Sequence, residues 1–176
     1  IAKNYGPLPL AKTLAPAIKL AQEGFLVDKQ LNAFLQNEER LEQIKKYPST
    51  AKIFLKNGRP YRIGERLIQA DLAHTLQLIA EQGEQGFYAG EVAERLVQGV
   101  NAAGGIWSLT DLTKYQIKVR EPLIGAFHNM LIITSPPPSA GGIALLTMFN
   151  ILSHYPLSSF SKVQWVHYLV ESMRLA

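Results

Sequence analysis

The chain has 176 residues, 47% hydrophobic and 18% charged, enough to bury a real core as one globular domain or a piece of a larger one. Its net charge of +4 comes from Lys and Arg side chains that are spread out apart from Lys45-Lys46, which excludes a basic stripe for nucleic acid. No apolar run approaches the ~20 residues of a membrane span, and the absence of cysteine excludes disulfides and thiolate metal sites while leaving the redox compartment open.

The chain opens Ile1-Ala2-Lys3 with no Met, as an excised segment or processed product would. Leu8 to Gly24 then reads as a helix with Leu10, Leu14, Ala17, Ile18 and Ala21 on one face; Pro16 implies a kink or a helix start at that point. A second helix is expected after Val27, capped by Asp28, with Leu31, Phe34, Leu35 and Leu41 on its apolar side and a break at Tyr47-Pro48-Ser49-Thr50. Ile53-Phe54-Leu55 leads into a turn at Asn57-Gly58-Arg59-Pro60.

Arg66 to Glu81 reads as a helix with Ile68, Leu72, Leu76 and Ile79 inward, ended by Gly83. Gly86-Phe87-Tyr88-Ala89-Gly90 reads as an aromatic connector. Glu91 to Ala103 is another helix, with Val92, Leu96, Val100 and Ala103 inward. Ser108 to Tyr115 fits a short helix in which Ser108 and Asp111 form an acidic variant of the capping box.

From Gln116 the apolar period changes to two, through Ile117, Val119, Leu123, Leu131 and Ile133. Two strands are expected, roughly Gln116–Phe127 and Asn129–Thr134, joined near His128-Asn129. The segment Ser135-Pro136-Pro137-Pro138-Ser139-Ala140-Gly141-Gly142 combines three residues of fixed φ with two permissive ones, between a strand and a helix that runs to about Ser153. A linker at His154-Tyr155-Pro156-Leu157 precedes a last helix with Val163, Val166, Val170 and Met173 on one side. The pattern is still amphipathic at Leu175-Ala176. The fold class is therefore mainly α with a short β element, α+β.

The residues that carry chemistry offer no catalytic centre. His74, His128, His154 and His167 are far apart and lack ligand partners at metal-binding spacing, so they read as surface or half-buried side chains. Ser139, flanked by Pro138 and Ala140, is not in a nucleophile elbow that would make a triad with a His and Asp111. Gly141-Gly142 lacks the flanking pattern of a phosphate loop and reads as close packing of a helix start. Trp107, Trp165, Phe87 and Tyr88 read as core anchors. Glu65 and Glu94 read as isolated carboxylates. Arg59, Arg62 and Arg66 cluster at a turn, where they fit either solvated charge or a carboxylate site.

Several segments, in this order, resemble the γ-glutamyltranspeptidase family. They are Tyr5-Gly6, Pro16-Ala17-Ile18-Lys19-Leu20-Ala21 and Gly24-Phe25; Gly64-Glu65-Arg66-Leu67-Ile68-Gln69; Leu72-Ala73-His74-Thr75-Leu76; Gly86-Phe87-Tyr88-Ala89-Gly90; Gly104-Gly105-Ile106, Asp111-Leu112 and Tyr115; and Pro136-Pro137-Pro138-Ser139 with Gly141-Gly142-Ile143. The resemblance implies an N-terminal-nucleophile hydrolase of αββα fold. Its precursor cuts itself into a large and a small subunit, and the new N-terminal Thr of the small subunit attacks the γ-glutamyl amide of glutathione or a relative.

The resemblance further implies that residues 1–176 are a single partial domain, the C-terminal part of the large subunit, helical over 1–115, β over 116–134 and helical over 139–176. The nucleophile, the substrate-binding Arg and the oxyanion Gly-Gly pair of such an enzyme fall outside this chain. None of Thr13, Thr50, Thr75, Thr110, Thr113, Thr134 and Thr147 begins the nucleophile pattern, so no catalytic, cofactor or metal residue is assigned.

Alone, the chain is expected to be an inactive scaffold that self-associates through exposed apolar surface. Its expected partners are the small subunit and the rest of the large one. A periplasmic or secreted setting follows from the resemblance only. A cephalosporin-acylase relative is the neighbouring alternative, and a stand-alone helical binding module is the alternative of a different class.

Overall fold

A computed structural model describes residues 2–176, Lys3 by its backbone only; the Ile1 start noted above lies outside the described residues. The chain divides into two compact units, one through Tyr115 and one from Gln116 to Ala176. In chain order the first comprises α1 (Ala2–Tyr5), α2 (Leu10–Glu23), β1 (Phe25–Leu26), α3 (Lys29–Gln36), α4 (Glu38–Lys46), α5 (Pro48–Phe54), β2 (Leu55–Lys56), β3 (Arg59–Pro60), β4 (Arg66–Leu67), α6 (Ala70–Gln82), α7 (Gln85–Tyr88), α8 (Gly90–Ala102) and α9 (Leu109–Thr113). The second comprises β5 (Leu123–Phe127), β6 (Met130–Thr134), α10 (Ala140–Leu152) and α11 (Lys162–Leu175), with one 3₁₀ turn at Leu157–Ser159. The architecture is mainly α with short antiparallel ribbons, as the periodicity implies.

In the first unit α2 lies against α6. Pro16 sits within α2 without ending it. The proline is exposed, so the carbonyl of Lys12 that loses its N–H partner belongs to a wetted side of the helix. Asp28 caps α3 through a bond from Leu31 N to its Oδ1 at 2.8 Å. The single helix expected from there to Tyr47 is in fact two. Asn37 is extended and caps α4, accepting from Arg40 N at 3.1 Å, because its short amide competes for the backbone better than it continues a helix. The break expected at Tyr47-Pro48 is a new start: Pro48 occupies the first turn of α5, where its missing N–H costs nothing.

Asn57 and Gly58, with φ of 53° and 77°, make the turn of the β2–β3 hairpin, the left-handed pair that a tight two-residue connection needs. Arg66 and Leu67, expected in a helix, instead pair as β4 with β1, Phe25 opposite Leu67 and Leu26 opposite Arg66. The extended backbone turns Leu67 inward to 1% exposure and leaves Ile68 51% exposed, the reverse of the expected helical face. In α6 it is Ala73, not Leu72, that is buried. The aromatic connector holds the short helix α7. Ser108 caps α9 with the full reciprocal capping box, Asp111 Oδ2 accepting from Ser108 N at 2.8 Å and Oγ at 2.7 Å.

In the second unit only the last part of the first expected strand is paired. Residues 116–122 are not in a strand, and β5 begins at Leu123 after Pro122, which has no N–H to give a ladder. The hairpin turns at His128-Asn129, as the sequence implies. One face carries Leu123, Gly125, Phe127, Ile132 and Thr134 and packs on α10, with Phe127 stacked on Phe149 at 4.5 Å. The other face, with Ile124, Leu131 and Ile133, is exposed. Apolar residues on both faces are the pattern of a sheet made to lie between two layers.

In α11 the apolar side read from the sequence faces outward. Val163, Val166, Val170 and Met173 are exposed, while Tyr168 and Leu169 are half-buried and Ser172 is buried, its hydroxyl satisfied by Leu169 O at 2.7 Å. Both tryptophans, expected as core anchors, are almost half exposed.

Candidate functional site

The arginine cluster at the turn is the most strongly charged construction in the first unit, and Glu65 is its centre. Both guanidinium nitrogens of Arg59 donate to this carboxylate, Nη1 to Oε2 at 2.9 Å and Nη2 to Oε1 at 2.7 Å. Lys56 Nζ donates to Oε1 at 3.3 Å and Arg62 N to Oε2 at 2.7 Å. Arg66 turns away and donates from Nη1 to Gly24 O at 2.9 Å and to Glu23 O at 3.2 Å, which fastens the end of α2. The backbone of Glu65 joins the same knot, its carbonyl accepting from Val27 N.

Glu65 is therefore not isolated, and the three arginines do not converge on an open carboxylate site. Arg59 is already neutralised by a bidentate partner from its own chain. The hairpin turn brings Lys56 and Arg59 to one end of the ribbon, and the return strand places Glu65 against them. No signal at helix or strand period reports that meeting.

The hydrogen bonds from Arg59 first, and then from the Arg62 backbone, hold the Glu65 carboxyl well below the usual carboxylate range. A depressed folded pKa contributes stability that is complete above the unfolded value and is lost as pH falls through the folded one. Glu65→Gln should therefore unfold at lower urea than the parent chain near neutral pH. The gap should close progressively below about pH 4. A gap of constant size across that range in urea titrations would assign the effect to packing instead.

Elsewhere, His74 Nε2 lies 3.2 Å from Glu91 Oε2, and Arg95 Nε lies 3.3 Å from Glu91 Oε1, all at the surface. Among the described residues no three His, Asp or Glu side chains are grouped for a metal. His154 Nδ1 is tied to Asn150 O at 2.7 Å. Asp111 Oδ2 accepts both bonds from Ser108 in the α9 cap. Gly142 packs at the start of α10 directly under the carbonyl of Ser135. Gly142 thus serves the close approach of helix to strand, while Gly141 has only Ser139 Oγ near it, at 3.9 Å.

An apolar cavity of about 480 Å³ opens in the first unit. Its wall is made by Phe87 and Tyr88 of α7, Leu96 of α8, Trp107, Asp111 and Leu112 of α9, and Tyr115. Tyr88 and Tyr115 are stacked at 5.2 Å and 10°, and Phe87 meets Tyr88 edge-on at 5.1 Å. Sequence reading found Phe87, Tyr88 and Trp107 but placed them in a core.

Neither cluster nor cavity contains a nucleophile paired with a base, so the comparisons with known proteins carry the functional assignment. The family model described as Gamma-glutamyltranspeptidase matches residues 1–176. The chain belongs to the γ-glutamyltranspeptidase family. It is 36% identical over 177 residues to the glutathione hydrolase proenzyme of Pseudomonas sp. (strain A14), a match that covers 99% of this chain and 30% of that protein. The crystal structure of Helicobacter pylori gamma-glutamyltranspeptidase matches with a TM-score of 0.91 and 35% identity, over 98% of this chain and 50% of that one. The cephalosporin acylase from Bacillus halodurans matches with a TM-score of 0.89 and 31% identity, over 99% of this chain and 33% of that one.

The chain thus spans about a third or less of the curated relatives it matches. Its helical α+β architecture is that of a fragment of the αββα fold of N-terminal-nucleophile hydrolases. No helix among the described residues is long and apolar enough to cross a membrane.

Proposed function

We propose that residues 1–176 are a scaffold segment from the C-terminal part of the large subunit of a γ-glutamyltranspeptidase, one partial domain of the parent enzyme. The parent transfers or hydrolyses the γ-glutamyl group of glutathione and related amides. Its N-terminal Thr nucleophile is supplied by the small subunit, outside this chain. The observation that carries the reading is the family match along the whole chain, set beside coverage of only 30% of a proenzyme relative.

Within the parent, the exposed apolar side of the β5–β6 hairpin and the outer side of α11 would be covered by the remaining large subunit and the small subunit. In isolation the same surfaces support self-association. By family resemblance the setting is periplasmic or secreted. The family match weighs against a stand-alone binding module.

Two measurements test the proposal. The purified 176-residue chain should release no product from a γ-glutamyl anilide, whereas the full reading frame should, after appearing by intact mass as two chains with Thr at the start of the smaller. Turnover by the isolated chain that a substitution within it abolishes would overturn the scaffold reading. A second reading, a cephalosporin-acylase-like parent, is favoured by the TM-score of 0.89 to such an acylase. Preference of the processed parent for an acyl cephalosporin over the γ-glutamyl anilide would select it.

A further inference from the structure

The aromatic cavity of the first unit is not explained by the scaffold role. Four of its seven wall residues are aromatic, Phe87, Tyr88, Trp107 and Tyr115, and two are aliphatic, Leu96 and Leu112. The one charged residue in the wall is Asp111, in a chain whose net charge is +4. The wall thus joins aromatic and aliphatic side chains to a single acidic residue, with no Lys or Arg in it.

The wall is also pre-organised. Tyr88 and Tyr115 hold each other parallel, and Trp107 is anchored by its carbonyl, which accepts from Asn101 Nδ2 at 2.9 Å. The carboxylate is fixed by two bonds from Ser108 to Oδ2. Ring faces carry partial negative charge and attract a cation that has lost part of its hydration. We propose that this cavity binds a small organic cation, an ammonium group carried on an apolar body, with the rings of Tyr88, Trp107 and Tyr115 receiving the body and Asp111 the charge.

Two neighbours of the carboxylate set the expected electrostatics. The Ser108 bonds, first the hydroxyl and then the backbone N–H, keep Asp111 ionised below the usual carboxylate range. The positive charge of Lys114 acts in the same direction. Lys114 stands outside the wall and opposes an incoming cation. Its removal should therefore strengthen binding while loss of the Asp111 charge weakens it, and a purely apolar pocket would respond to neither.

The chain has two tryptophans, so Trp165→Phe leaves Trp107 as the sole reporter. Titration of this chain with choline should change Trp107 fluorescence saturably. The neutral carbon isostere dimethylbutanol should bind about fivefold more weakly or not at all. Asp111→Asn should weaken choline by roughly fivefold and Lys114→Ala should tighten it, with far-UV circular dichroism confirming that each variant is folded. Should Asp111→Asn fail to fold, the choline–dimethylbutanol ratio and the Lys114→Ala shift decide alone. Equal binding of choline and dimethylbutanol, no saturable response to choline, or no change on Lys114→Ala would each overturn the proposal.

Discussion

Gly142→Ala should destabilise the second unit by about 3 kcal/mol, whereas Gly141→Ala, one residue earlier, should change stability by less than about 1 kcal/mol. A Cβ on Gly142 would fall inside the van der Waals shell of Ser135 O and within 3.1 Å of Thr134 Cγ2 and Oγ1. The obstructing atom is a backbone carbonyl at the end of β6, which cannot rotate away as a side chain does. Relief requires α10 to retreat from the hairpin, and that opens the Phe127–Phe149 stack and the contact of Gly125 with Leu146.

At Gly141 the nearest atom to an added Cβ is Ser139 Oγ at 3.9 Å, and alanine favours the helix. Urea unfolding of the two variants should separate them clearly. Coincident midpoints would mean that the helix start is not pressed on the strand.

Leu67→Ala should cost about 3 kcal/mol, and Ile68→Ala less than about 1 kcal/mol. Leu67 is 1% exposed, and the equally buried Val27 and Leu35 belong to the same unit. Truncating Leu67 leaves a void bounded on one side by the β1–β4 pairing, where backbone hydrogen bonds limit collapse. Ile68, next in sequence, points to the other side of an extended backbone and is half exposed. Calorimetric or urea unfolding of both variants checks the pair. An equal loss, or a larger one at Ile68, would restore the helical register over Arg66–Glu81 and remove β4.

These contrasts mark where local pattern suffices. Helices α2, α8, α10 and α11 are legible from their apolar spacing, and the caps at Asp28 and Ser108 from residue type alone, because cap geometry involves only neighbours within one turn. The Asn57-Gly58 turn and the hairpin at His128-Asn129 are legible for the same reason. The family was legible as well, through the ordered segments ending in Pro-Pro-Pro-Ser-Ala-Gly-Gly.

Facing directions were less legible. Val163, Val166, Val170 and Met173 form a true apolar side of α11, yet they point away from α10, since periodicity identifies a face without naming its partner. The Glu65 knot was invisible because Lys56, Arg59 and Arg62 reach it through a hairpin and a return strand.

The sequence by itself thus determined the helical α+β class, the two hairpin turns, the caps at Asp28 and Ser108 and the family, all of which depend on residues close along the chain or on their order. Only the tertiary structure decided which of two adjacent residues, Leu67 or Ile68, enters the core, that Glu65 is fourfold bonded, and that Phe87, Tyr88, Trp107 and Tyr115 line an open cavity with Asp111. Each of those depends on segments distant in sequence meeting in space, where burial and hydrogen bonding outweigh local propensity.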